Sequence, residues 1–85
     1  MVYLLHFAEK YKNVQHYLGY TTDLEKRMKR HKNGHGARLV KQVTEAGIEW
    51  EVARVWEDGD KKLERKLKKG HNSPKLCPIC KREHK

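Results

Sequence analysis

Residues 2–7, Val-Tyr-Leu-Leu-His-Phe, form a β-rich run bounded by a polar stretch from Glu9 to Gln15. A second short β-like run, His-Tyr-Leu-Gly-Tyr at 16–20, follows it. Together they predict a hairpin with a longish loop. Gly19 inside the second run predicts a bulge or a close backbone approach. In a chain of 85 residues there is room for one domain with one small core.

Thr22-Asp23-Leu24-Glu25 fits a capping box, with Thr22 at the N-cap and Glu25 three residues on. It predicts a helix to about Lys32, stopped by Asn33-Gly34. Gly36 and Ala37 open a second helical stretch bearing Leu39, Val40 and Val43, with Gly47 as its stop. Ile48, Trp50, Val52 and Trp56 then alternate with Glu49, Glu51 and Val55, the period of a third strand over 48–56. After the turn Glu57-Asp58-Gly59, Asp60 caps a last helix through Lys69, with Leu63 and Leu67 as its buried stripe and Gly70 as its end. The order ββααβα predicts an α+β domain over 1–70, a small three-stranded antiparallel sheet flanked by helices. A basic tail, 71–85, holds both prolines, both cysteines and two histidines.

The chain carries 20 Lys and Arg against 11 Asp and Glu, a net charge of +9. The charge is blocky: residues 1–21 sum to +1, 22–43 to +5, 44–58 to −4 and 59–85 to +7. Two basic surfaces brought together by folding attract phosphate, which favours a nucleic-acid partner; the plainer reading is that Lys-rich helices are simply well solvated. No apolar run approaches the roughly 20 residues of a membrane helix. The start, Met1 to Phe7, lacks the basic n-region and long apolar h-region of a signal peptide. Two cysteines are too few for a disulfide framework, and the expected location is the cytoplasm.

Some residues break their own pattern. Positions 24, 27, 28 and 31 share one helical face. Leu24 and Met28 belong on a core-facing stripe, whereas Arg27 and His31 suggest a site at the core's edge. Arginine holds phosphate through its planar fork, and histidine moves protons near neutral pH. A slightly rotated helix would leave both in water. Glu64 is a lone acid in Lys-Lys-Leu-Glu-Arg-Lys-Leu-Lys-Lys. It reads either as an oxygen ligand for a hard divalent cation or as a surface ion pair with Lys61 or Lys68. Tyr3, Tyr17 and Tyr20 on the hairpin read as packing residues, or as hydroxyls that orient a hydrolytic water.

Together these residues resemble the GIY-YIG endonuclease superfamily. The first signature is reduced to Met1-Val2-Tyr3 and the second stands as Tyr17-Leu18-Gly19. Arg27 and His31 match the family's Arg-x-x-x-His/Tyr helix, Gly34-His35-Gly36-Ala37-Arg38 its glycine-rich stretch, and Glu64 its metal-binding glutamate. The resemblance covers roughly residues 1–70. Met1 replaces the first glycine, and Tyr20 or Thr21 stands where some members carry a lysine. Asn72 is the only downstream counterpart of the family's asparagine.

The resemblance implies metal-dependent hydrolysis of DNA, with RNA as a further possible substrate. Tyr3, Tyr17, Arg27, His31 and Glu64 would be catalytic, and one Mg²⁺ or Mn²⁺ would sit on Glu64. Lys26, Arg30, His35, Arg38, Lys68 and Asn72 would contact nucleic acid. With no space for a separate recognition domain, specificity would come from DNA structure, a homodimer or a partner protein. Small free-standing members suggest phage or mobile-element biology. The competing reading is a non-catalytic nucleic-acid-binding module on the same scaffold.

In the tail, Cys77-Pro78-Ile79-Cys80 with His71 and His84 supplies four zinc ligands in the order H-x₅-C-x₂-C-x₃-H. One C-x-x-C is half of a zinc signature, and a redox dithiol or a reduced, flexible pair are the other readings. His6 and His16, across from each other on the two predicted strands, read as structural or solvated.

Overall fold

The computed structural model describes residues 1–70 and 76–79. Its elements are β1 (Val2–Tyr11), β2 (Val14–Tyr20), α1 (Leu24–Lys32), α2 (Arg38–Glu45), β3 (Trp50–Trp56) and α3 (Lys61–Gly70). The sheet is antiparallel throughout, in the order β2-β1-β3. The α+β class and the order ββααβα are as the sequence predicts.

The central place of β1 explains its composition. A strand covered on both faces reads as a continuous apolar run rather than an alternating one, and residues 2–7 are all buried. Their side chains part to opposite sides of the sheet. Tyr3, Leu5 and Phe7 join Val40 and Val43 of α2, with Leu24, Met28, Ile48, Trp50 and Val55 around them. Val2 and Leu4 join Leu18 and Cys77, flanked by Leu63 and Leu67 of α3. The single core expected from chain length is therefore two half-cores, one on each face of β1. Cys77 is fully buried in the second.

The hairpin loop is tight where a longish one was expected. The strands run on to Tyr11 and Val14, and Lys12 (φ 49°) and Asn13 (φ 69°) both lie in the left-handed region. That is the requirement of a two-residue type I′ turn. The stretch is polar because Ala8 to Lys10 are exposed, past the end of the core, and the β1–β2 register shifts between His6 and Tyr11.

The first helix starts one residue later than the capping box implies. Asp23 is the N-cap and accepts from the Lys26 amide at 3.1 Å. The Asp23 amide donates to Thr21 Oγ1 at 3.1 Å, which helps hold Asp23 in the extended conformation an N-cap needs. Two adjacent capping residues compete here, and the turn at Thr21 decides between them. Asp60 caps α3 as expected, accepting from the Leu63 amide at 2.9 Å.

β3 also departs from strict alternation. The register shifts between Leu4 and Leu5, so that Arg54 faces Leu4 and Val52 faces Leu5. Trp50 and Val55 consequently pack on the Tyr3 side, while Ala53 and Trp56 pack on the Val2 side. Val52, expected in the core stripe, is exposed. A bulge puts two residues against one and reverses the faces beyond it.

No helix among the described residues is long and apolar enough to cross a membrane.

Candidate active site

Tyr3 lies in the middle of the sheet, fully buried, with its ring turned toward α1. Its hydroxyl is hydrogen-bonded to His31 Nε2 at 2.8 Å. Gly19 is its partner on β2, and the phenol crosses directly over it. A Cβ at position 19 would stand 2.5 Å from the Tyr3 oxygen and 2.9 Å from the Tyr17 ring. The glycine of Tyr17-Leu18-Gly19 is thus required by close approach, as the sequence anticipated.

His31 is fully buried at the C-terminal end of α1. Tyr3, Tyr17 and Trp50 surround it edge-on, with ring centroids 5.9, 5.7 and 6.0 Å away. Trp50 is anchored by its indole N–H, which donates to Thr44 Oγ1 at 2.9 Å. On the remaining side Gly36 presses against Nδ1, where an added Cβ would collide with the ring. Nδ1 has no hydrogen-bond partner among the described residues. Burial, and then the positive charge of Arg27, lower the His31 pKa to about 4. The ring is therefore neutral at pH 7.

Arg27 sits one turn before His31 on α1 and is half-buried. It reaches the Tyr3 hydroxyl, where its charge and hydrogen bond oppose the effect of burial. Burial still dominates, reinforced by Tyr17, and drives Tyr3 well above the usual tyrosine range. Tyr17 is also raised, first by burial and then by the negative charge of Glu64. The two tyrosines are 6.1 Å apart between centroids. They differ in access: Tyr3 is sealed, whereas Tyr17 is half-buried.

Glu64 comes from the other side of the sheet. α3 packs on β2 and β1, and β2 is an edge strand, so the electrostatic reach of Glu64 to Tyr17 bridges the two sides. Its side chain is 23% exposed and its Oε2 lies 3.7 Å from Lys68 Nζ. This is the ion pair with Lys68 that the sequence offered, and the pair leaves Glu64 open enough to take a cation.

The remaining sequence candidates divide by location. Lys26 and Arg30 are exposed and, with Arg27, Thr21, Thr22 and Asp23, line a concavity of about 380 Å³. His35 and Arg38 are exposed at the α1–α2 junction. Tyr20 packs with the Val2 half-core and stands under Lys61, so it is a packing residue away from the site. Asn72, His71, Cys80 and His84 lie outside the described residues. Trp50 and Gly36 were not foreseen as part of the site. Trp50 looked like strand alternation and Gly36 like a helix opening, and each acquires its role only by touching His31.

The model of the GIY-YIG catalytic domain matches residues 1–76 of this chain. No curated protein and no solved structure matches it.

Proposed function

The chain belongs to the GIY-YIG family, and on that footing we propose that it is a metal-dependent endonuclease that hydrolyses phosphodiester bonds in DNA. The observation that carries this reading is the convergence of Tyr3, Tyr17, Arg27 and His31 beside an open groove, with Glu64 close enough to act on Tyr17. A module that only bound nucleic acid would gain nothing from a carboxylate that repels phosphate.

Glu64 fits a hard divalent cation, since one carboxylate completed by waters and phosphate oxygens is a usual Mg²⁺ arrangement. When bound, Mg²⁺ or Mn²⁺ supplies charge stabilisation to the phosphate and to the leaving 3′ oxygen. Arg27 holds the scissile phosphate and offsets the charge that grows on it. Tyr17, the accessible tyrosine, orients the attacking water. Tyr3 and His31 position Tyr17 from behind, held rigid by their hydrogen bond and by Trp50. Lys26 and Arg30 bind flanking phosphates in the groove. His35, Arg38 and Lys68 add exposed positive or hydrogen-bonding groups around it.

The test is incubation of supercoiled plasmid, branched DNA, single-stranded DNA and RNA with Mg²⁺, Mn²⁺ or EDTA. Cleavage that needs the cation and disappears in Glu64→Ala supports the proposal. Cleavage by Glu64→Ala at the wild-type rate overturns the mechanism. Binding without cleavage under every cation makes the chain a non-catalytic module.

A further inference from the structure

The register of the hairpin pairs His6 directly with His16, which places both rings on one face of the sheet, opposite Tyr3. Residues 76–79 return to this face and bury Cys77 there. The result is three ligand-type side chains converging from three segments. His6 Nδ1 is 3.3 Å from His16 Nε2 and 3.4 Å from Cys77 Sγ, and all three ligand atoms lie within 4.8 Å of one another.

Hydrogen bonding explains this arrangement poorly. An imidazole nitrogen offers one proton or one lone pair, yet His6 Nδ1 is approached by two groups at once. A tetrahedral cation explains it quantitatively. Zn–N bonds of about 2.0–2.1 Å and a Zn–S bond of about 2.3 Å put two ligand nitrogens about 3.3 Å apart and a nitrogen and a sulfur about 3.6 Å apart. The separations at His6 are close to both. Cys80 follows Cys77 at C-x-x-C spacing and lies outside the described residues.

We propose that His6, His16 and Cys77 bind a zinc ion that staples the chain around Cys77 to the β1–β2 hairpin. Two imidazoles and a thiolate select zinc over the hard cation suited to Glu64. Among the described residues, the ligand histidines are thus His6 and His16 of the hairpin. The staple closes a loop from the first strand to Cys77, and a small domain with two half-cores gains from such a closure. It also braces α3, the helix that carries Glu64.

The experiment uses the full chain purified without chelator. Zinc by elemental analysis is expected at about one ion per chain. Replacement with Co²⁺ is expected to give the intense visible absorption of a tetrahedral site and a near-ultraviolet thiolate-to-metal band. A strong chelator is expected to lower the melting temperature, and added Zn²⁺ to restore it. Cys77→Ser and the half-buried His16→Gln lose the metal. Zinc-free protein that takes up neither Zn²⁺ nor Co²⁺ overturns the proposal, as does full retention of zinc in His16→Gln. The Co²⁺ spectrum of the wild type reads thiolate ligation even if a variant fails to fold.

Discussion

Tyr3 on β1 and His31 on α1 are joined by a 2.8 Å hydrogen bond between the phenolic hydroxyl and Nε2, inside a wall of aromatic rings that excludes water. Neither group is exposed, and His31 Nε2 depends on the Tyr3 hydroxyl for its polar partner. The pair links the central strand to the first helix and stands directly behind Tyr17.

That dependence makes the two tyrosines separable. Tyr3→Phe strands His31 Nε2 in the interior, a loss of about 1–3 kcal/mol, read by urea or thermal unfolding. Tyr17→Phe removes a half-buried hydroxyl and is expected to leave stability within about 0.5 kcal/mol of the parent while sharply reducing cleavage. Equal loss of stability in both variants would contradict the division of roles.

The low pKa of His31 gives stability a pH dependence with a definite sign. The folded ring protonates at about 4, whereas a free histidine protonates near 6.5. Between those values the unfolded chain binds the proton and the folded chain does not. Stability is therefore full above about pH 6.5 and declines as pH falls toward 4, with a slope of at most about 1.4 kcal/mol per pH unit from this residue. Urea denaturation across pH 4–7 checks it, and His31→Phe should flatten the decline.

Gly19→Ala places a methyl group 2.5 Å from the Tyr3 oxygen. Neither the strand nor the packed phenol gives way freely, so a cost of about 1–3 kcal/mol is expected, together with displaced tyrosines and lost cleavage. Gly36→Ala should act similarly through His31.

Glu64→Gln and Arg27→Lys keep size or charge while removing the cation ligand or the planar fork. Each is expected to reduce cleavage by about 10²–10³-fold, with circular dichroism and melting temperature near those of the parent. Among the described residues the ion pair lost at Glu64 is that with the exposed Lys68, a pairing worth little.

Lys26→Ala and Arg30→Ala should weaken DNA binding without regard to sequence. Each is expected to reduce the slope of log affinity against log salt by about one. Fluorescence titration in a salt series measures this.

The sequence by itself determined much of the frame. Val2–Phe7 read as the first strand of a hairpin, Gly47 and Asp60 marked ends of helices, and the spacing of Arg27 and His31 put two polar residues beside an apolar stripe. These are local properties, read from periodicity and cap chemistry. The tertiary structure decided what lies between elements. It made the hairpin turn tight, moved the N-cap to Asp23, and turned Val52 outward through a bulge that periodicity does not register. It buried His31 fully, distinguished Tyr17 from Tyr3 by access, and brought Glu64 to Tyr17 from the far side of an edge strand. It also set His6 beside His16 and Cys77, residues that no sequence spacing connects. Local sequence fixes backbone conformation within a few residues, whereas strand register and packing bring distant side chains together, and the chemistry of this protein lies in those long-range contacts.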